Sequence, residues 1–105
     1  MLQIFNALSD PARLAVVELL SKHELSISEL AAPFEMALPS FMQHLKVLEY
    51  AGLIDSTKVG RVRTCRLRPE ALRTAQTWLH QQQKIWESRL EQLDSYLLTM
   101  EAAEE

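Results

Sequence analysis

The sequence predicts a mainly α-helical fold with one small β-hairpin, and three observations carry this prediction. Between Ser26 and Leu53 there is a capped helix start, a short break and a second helical segment. Residues 54–67 are rich in β-branched side chains around a central glycine, and neither Gly nor Pro occurs from Glu70 onward. A chain of 105 residues has the length of one domain, so we predict a single unit with a modest core.

The first helix of the pair begins at a capping box, Ser26-Ile27-Ser28-Glu29. In this motif the Ser26 hydroxyl accepts a hydrogen bond from the Glu29 amide, and the Glu29 carboxylate accepts one from the Ser26 amide. Apolar residues then follow at three- and four-residue spacing as far as Phe34. We therefore expect an amphipathic helix up to the break at Glu35-Met36-Ala37.

The second helix has Pro39 in its first turn, where a missing N–H costs nothing. An apolar stripe predicts its buried side, and short or hydrogen-bonding groups are left on the other side. The stripe is Phe41, Leu45 and Leu48, and the opposite side carries Ser40, Gln43, His44 and Lys46. Such groups on a rigid helix can enter a major groove and contact bases and phosphates.

A β-hairpin follows directly, with strands at residues 54–58 and 62–67 and a turn at Val59-Gly60-Arg61. From Ser56 to Arg68 there are five basic residues and no acidic one: Lys58, Arg61, Arg63, Arg66 and Arg68. A surface of one charge sign is typical of a site for a polyanion. Two helices and a basic hairpin together predict a winged helix-turn-helix, with residues 1–68 forming that part and residues 69–105 a C-terminal helix.

The chain resembles the ArsR/SmtB family of winged-helix transcriptional repressors of bacteria and archaea over about its first two thirds. The resemblance lies in Ala7–Arg13, Glu24–Ala31, Pro39, His44–Leu48, Ala51–Ile54 and Gly60–Arg61. It implies a homodimer that binds double-stranded operator DNA and is released by an inducer. With the reasoning above, this gives a set of candidate DNA-binding residues: Pro39, Ser40, Gln43, His44, Lys46, Lys58, Arg61 and Arg63.

Two departures from the family pattern limit what can be carried over. Ala37 and Met42 stand where members often have Ser, so the side-chain cap of the second helix is absent and the operator sequence cannot be taken from relatives. Arsenic-responsive members have a Cys-x-Cys pair where this chain has Ser26 and Ser28, and serine hydroxyls are poor ligands for soft metals. Of the ligands that zinc-responsive members use on the C-terminal helix we identify only His80. We therefore expect no metal site and no cofactor, with an unidentified small-molecule inducer left open.

Cys65 is the only cysteine, which suits a reducing compartment. Neighbouring arginines can lower a thiol pKa and so favour an oxidant sensor. The strand alternation, however, places Cys65 on the packed side of the hairpin, and we favour a small buried apolar residue.

The C-terminal helix carries apolar residues at seven-residue spacing, Leu72, Leu79, Trp86, Leu93 and Met100, with Leu90 and Leu97 at the four-residue offsets. Residues Ala75, Trp78, Ile85 and Tyr96 form a second row. Such a wide apolar arc favours a dimer over a helix that only folds back on its own core. We predict an interface formed by Ile4, Phe5, Leu8, Leu72, Leu79, Trp86, Leu90, Leu93 and Leu97.

Composition excludes other classes. Three histidines, one cysteine and two glycines offer neither a nucleophile with its base nor a phosphate-cradling loop, so we do not expect an enzyme. No segment is apolar enough for a membrane span or a signal peptide, which predicts a cytoplasmic protein. The net charge of −3 argues weakly against nucleic acid, but the acidic residues collect near the C-terminus, away from the basic hairpin. The sequence thus predicts a regulator of transcription, with a winged-helix protein-interaction module as the alternative.

Overall fold

The computed structural model describes residues 1–104, with side chains as far as Ala102, and contains five helices and three strands in that range. In chain order they are α1 Leu2–Leu8, α2 Pro11–Leu20, β1 Leu25–Ser26, α3 Ile27–Ala31, α4 Leu38–Tyr50, β2 Ile54–Val59, β3 Val62–Leu67 and α5 Pro69–Glu104. This is the predicted winged helix-turn-helix. The chain divides into two compact units, Met1–Ala75 and the part from Gln76 onward, which are described separately.

The start of α2 is fixed by the side chains of two residues. Asp10 accepts hydrogen bonds from the amides of Ala12 (2.9 Å) and Arg13 (3.1 Å), and Pro11 occupies the first helical position. These two backbone hydrogen bonds, that of Arg13 above all, lower the pKa of the Asp10 carboxyl. The Arg13 guanidinium in turn donates to the carbonyl of Ala7 at the end of α1 (2.8 Å). The Arg13 side chain therefore links the start of α2 to the end of α1 by a hydrogen bond.

The capping box of α3 is confirmed, but the helix is shorter than predicted. Glu29 N–H donates to Ser26 Oγ (3.2 Å), and Ser26 N–H donates to Glu29 Oε1 (3.0 Å). The helix ends at Ala31, because Pro33 has no N–H with which to continue the ladder of helical hydrogen bonds beyond Ala32. Phe34 lies beyond the helix and packs its ring against that of Phe41, with centroids 5.3 Å apart.

The C-terminus of α4 closes in a Schellman motif. Gly52 has φ +77°, its amide donates to Glu49 (3.0 Å), and the amide of Leu53 donates to Leu48 (3.0 Å). Leu53 is fully buried, so this turn places β2 directly beside α4.

The hairpin is confirmed and belongs to a three-stranded antiparallel sheet with the order β1-β3-β2. Gly60 has φ +63° in its turn, as the sequence predicts. The strand β1 was not predicted, since two residues carry no periodicity; Leu25 pairs with Cys65 and Ser26 with Thr64. The base of the hairpin is therefore attached to the segment that begins α3.

The core of the first unit draws on all of its helices and on the sheet. Its buried members are Ile4, Ala7, Val16, Val17, Leu20, Leu30, Phe41, Leu45, Leu48, Leu53, Ile54, Cys65, Ala71 and Ala75. No polar or charged residue is buried among the described residues. The unit is thus held together by apolar packing.

The helix α5 is continuous over 36 residues. Its first turns contribute Ala71 and Ala75 to the core, whereas all large apolar side chains from Trp78 to Met100 are exposed. None of the helices within residues 1–104 combines the length and apolarity needed to cross a bilayer.

Candidate nucleic-acid interface

The helix α4 presents a polar arc because its apolar stripe is anchored in the core. Phe41, Leu45 and Leu48 are all buried. Of the predicted contact residues, Pro39, Ser40, Gln43 and Lys46 are exposed. The cap at Ala37 uses no side chain, as expected for Ala. The N-terminal half of the helix therefore offers Ser40 and Gln43 to solvent on a rigid support.

One exposed residue on this arc was not predicted. Tyr50 is 84% exposed and lies four residues after Lys46 and seven after Gln43, which places all three on one side of α4. The same spacing could have identified it from the sequence. A phenol at the end of the arc can donate to a phosphate oxygen.

His44 differs from its neighbours because it is half-buried against the start of α2. Its Nδ1 lies 3.2 Å from Arg13 Nη1 and 3.8 Å from Asp10 Oδ2. Since a guanidinium can only donate, Nδ1 accepts in the Arg13 contact, and the ring proton of the neutral imidazole is then on Nε2. His44 therefore links α4 to the α1–α2 junction, a contact across 31 positions that no local pattern shows.

The register of the hairpin sorts its basic residues between two faces. Lys58 pairs with Arg63 across the strands, on the same face as Ser56 and Cys65, while Arg61 lies in the turn. Among the described residues, no ion pair involves Lys58, Arg61 or Arg63. These three exposed cations are available to a polyanion.

The remaining two arginines are not free, contrary to the impression of an entirely unpaired basic hairpin. Arg66 forms an ion pair with Asp55, its cross-strand neighbour, and also donates to Thr57. Arg68 lies 3.9 Å from Asp55 and from Glu70. Asp55 and Glu70 lie just outside the acid-free segment, so counting charges only from Ser56 to Arg68 missed both carboxylates.

Cys65 lies on the packed side of the hairpin, as predicted, and is only 2% exposed. Burial, together with the carboxylate of Glu49, raises the pKa of this thiol, and the opposing effect of Arg63 is smaller. A high pKa in a buried position makes a thiol unreactive. The buried apolar role is therefore the better interpretation.

The residues predicted for the dimer interface fall into two groups. Ile4 is buried in its own unit, and Phe5, Leu8 and Leu72 are half-buried against the same core, so they have little surface left for a partner. The others are about half exposed and lie on one side of α5: Leu79, Trp86, Leu90, Leu93 and Leu97. Arg89 lies within this apolar side, with its guanidinium 5.6 Å from the Trp86 ring, in cation–π range.

Metal-ligating side chains do not gather within residues 1–104. No three of the His, Cys, Asp and Glu side chains described come together in a group that could hold an ion. The candidate site is therefore built from hydrogen-bonding and cationic groups of α4 and the hairpin.

Comparison with known proteins agrees with this geometry. Residues 8–57 match a family model described as a helix-turn-helix domain. The chain is 37% identical over 73 residues to the HTH-type transcriptional regulator Rv2034 of Mycobacterium tuberculosis, an alignment that covers 70% of this chain and 68% of the relative. It is 28% identical over 76 residues to the transcriptional repressor SdpR of Bacillus subtilis, covering 72% of this chain and 84% of the relative.

A crystal structure of an ArsR family transcriptional regulator superimposes with a TM-score of 0.79 at 51% sequence identity, covering 82% of this chain and 89% of the other. These relatives are named as regulators or repressors of transcription, and the exposed polar arc beside the cationic hairpin is a surface suited to DNA. The chain belongs to the ArsR family of winged helix-turn-helix transcriptional regulators.

Proposed function

We propose that this protein is a homodimeric repressor that binds a palindromic operator through α4 and the hairpin. The observation that carries the proposal is the exposed arc of α4, with Ser40 and Gln43, beside three cations of the hairpin that form no ion pair with any described carboxylate. Polar groups on a helix can read base edges, and exposed cations can bind the phosphates on either side.

Each predicted residue has a role in this proposal. Ser40 and Gln43 contact base edges, with Pro39 presenting the first turn, and Lys46 binds a phosphate. On the hairpin, Lys58, Arg61 and Arg63 bind phosphates. His44 uses Nδ1 for Arg13, so its proton on Nε2 is the group left to donate to DNA.

Dimerisation follows from the exposed apolar side of α5. A twofold dimer can place two recognition helices in successive major grooves, about 34 to 36 Å apart. A helix with Leu, Ile and Trp side chains half exposed over six turns is unfavourable in water, and a second copy of the same helix covers it. We propose that Leu79, Trp86, Leu90, Leu93 and Leu97 form the centre of this contact.

The regulation that we propose does not use a metal. Ser26 and Ser28 replace the thiolates that a soft ion needs, and an inducer would be an organic molecule that favours a dimer unable to fit the grooves. We place the protein in the cytoplasm, where a regulator of transcription meets its operator.

The decisive experiment is selection of bound fragments from random DNA, followed by variants. Replacing Arg61 and Arg63 with Ala should weaken all DNA sequences alike and lower the slope of log affinity against log salt by about 0.9 per lost phosphate contact. The matched comparison is Arg63→Ala alone against Arg66→Ala, which removes one charge from the same strand at a residue already paired with Asp55 and should leave the slope nearly unchanged.

The recognition of the DNA base sequence is tested by a separate variant. Gln43→Ala should reduce the preference for the selected operator over random DNA by about 1 to 3 kcal/mol while preserving nonspecific binding. An unchanged preference would show that Gln43 does not read bases. If no fragment is enriched at all, the winged-helix protein-interaction module becomes the better interpretation.

A further inference from the structure

A cavity of about 310 Å³ opens between α4 and the hairpin sheet, on the side that the proposed DNA interface shares. Its inner wall is apolar, with Ile27, Ile54 and Cys65, and Met42 lies at its side. Its outer wall carries Lys46, Glu49, Ser56 and Arg63. The volume is at the lower limit of sites that hold small organic molecules.

The cavity exists because two short side chains face each other across the strands. Ser56 and Cys65 are cross-strand partners on the side of the sheet that faces α4. A pair of larger residues would fill this space, whereas Ser and Cys leave it open. The cavity therefore results from the small size of Ser56 and Cys65 and not from a break in the β2–β3 pairing.

The charges around the cavity favour an anion. Arg63 Nη1 donates to Ser56 Oγ (2.9 Å), and Ser56 Oγ donates to Glu49 Oε1 (3.4 Å). The one carboxylate is therefore already engaged by a hydrogen bond. Within the described residues neither Lys46 nor Arg63 has an ion pair, and Arg63 retains four further N–H groups.

We propose that this cavity binds a small amphipathic carboxylate. Its apolar part lies against Ile27, Ile54 and Met42, and its carboxylate accepts hydrogen bonds from Lys46 and Arg63. This combination of an apolar wall with a few convergent polar groups is typical of ligand sites, and charge-assisted bonds to a carboxylate are the strong ones.

Such a ligand would be an inducer that acts by competition. The proposed function assigns Lys46 and Arg63 to DNA phosphates, and the present inference rests on that function for its regulatory consequence alone. A bound carboxylate engages both cations and so removes them from the DNA contact. The ligand therefore weakens operator binding by the free energy that these two contacts contribute.

Binding is tested without DNA by methyl NMR. The chain has four methionines, Met1, Met36, Met42 and Met100, and only Met42 lines the cavity. With 13C-methyl methionine, addition of sodium octanoate or sodium benzoate at constant ionic strength should shift the Met42 signal and leave those of Met1 and Met100 in place. Met42→Leu assigns the signal. The matched amides, octanamide and benzamide, should bind about tenfold more weakly because they lack the charge.

Variants then locate the carboxylate. Lys46→Gln and Arg63→Gln should each weaken octanoate about tenfold. The control variants Lys58→Gln and Arg61→Gln remove equal charge from hairpin residues that do not line the cavity, and should change the affinity less than twofold. The proposal is overturned if neither carboxylate shifts Met42 in the millimolar range, if amides bind as well as acids, or if all four variants weaken binding equally.

A second measurement separates this inference from the proposed function. Octanoate should raise the apparent Kd for the selected operator, and the concentrations at which it does so should follow the octanoate affinity measured at Met42. A chain that binds octanoate at Met42 but no DNA would contradict the proposed function and support the site. A chain that binds DNA with its affinity unchanged while the site is saturated would refute the competition.

Discussion

The two compact units of this chain treat their apolar side chains in opposite ways. In residues 1–75, Leu30, Leu48 and Leu53 are fully buried, and Phe41 is 1% exposed. From Gln76 onward, Trp86 is 59% exposed and every other large apolar residue up to Met100 is also exposed. The first unit buries a core of its own and leaves apolar side chains such as Leu2 and Val59 exposed only at scattered places, whereas the second presents a row of exposed apolar side chains along a single helix.

This difference indicates that the exposed apolar side of α5 is the surface that needs a partner. An isolated helix gains little from intrinsic propensity, and most helical stability in proteins comes from packing an apolar face. The polar arc and the hairpin lie on the unit that contains the buried core. The sequence thus separates the surface proposed for DNA from the surface proposed for a second copy.

The largest changes in the free energy of unfolding are expected when one aromatic ring is removed from each unit. Phe41→Ala should lower the free energy of unfolding by about 3 to 5 kcal/mol at any protein concentration, because it leaves a cavity in the core. Trp86→Ala should instead act through association, so its effect on urea unfolding should shrink as the protein is diluted below the dimer Kd and both proteins become monomeric. Equal, concentration-independent losses would contradict the comparison, and Phe41→Leu serves if the alanine variant does not fold.

The next largest effect is expected on the dimer Kd, when two adjacent leucines are replaced one at a time. Leu97 belongs to the apolar side of α5, whereas Leu98, about 100° further around the helix, lies outside it with 65% exposure. Burying a leucine is worth about 1.5 to 3 kcal/mol, so Leu97→Glu should raise the dimer Kd by more than about 100-fold, counting both copies. Leu98→Glu should leave it nearly unchanged. Sedimentation equilibrium measures both, and a similar response to the two substitutions would reject this interface.

A smaller effect sharpens the account of the first unit. Ala37 is the N-cap of α4 without a side-chain bond, and its extended backbone (φ −64°, ψ 146°) suits a capping serine. Ala37→Ser should therefore stabilise the protein by about 1 kcal/mol in urea unfolding. Ala32→Ser, at the exposed C-terminal end of α3, is the control and should change stability by less than about 0.5 kcal/mol. The dimer Kd should respond to neither.

The smallest effect depends on pH. The pKa of Asp10 is lowered in the folded protein, so its contribution to stability is present above the unfolded pKa near 3.8 and is lost as the pH falls through the lower folded value. The difference in Tm between the protein and Asp10→Ala should accordingly shrink in acid. Asp10→Asn retains an acceptor oxygen, and its Tm should lack this part of the pH dependence. A constant difference across the acid range would exclude the capping carboxylate as its cause.

What the sequence predicted correctly was local. The capping box at Ser26, the glycine turn at Gly60 and the helix after Pro69 each follow from a few consecutive residues, and all three are confirmed. The burial of Cys65 follows from strand alternation. These features depend on backbone chemistry that acts over one or two turns.

What the sequence did not predict depends on tertiary contacts. The strand β1 exists because Leu25 lies beside Cys65, and two residues leave no pattern. His44 acquires its neighbours from α2, and Arg66 is neutralised by the cross-strand residue Asp55. The contact residues themselves lie on the predicted helix and hairpin, but their pairing is set by positions up to 31 residues away.

The position of β1 has a consequence for anyone who grafts a wing from one relative onto another. Ser26 serves two elements, because its backbone pairs with Thr64 in the central strand and its hydroxyl accepts from Glu29 at the start of α3. A chimaera that exchanged residues 54–67 alone would bring a foreign central strand against the host's own Leu25 and Ser26. The transferable module is therefore discontinuous in sequence, and a graft that respects it includes residues 25–29 as well.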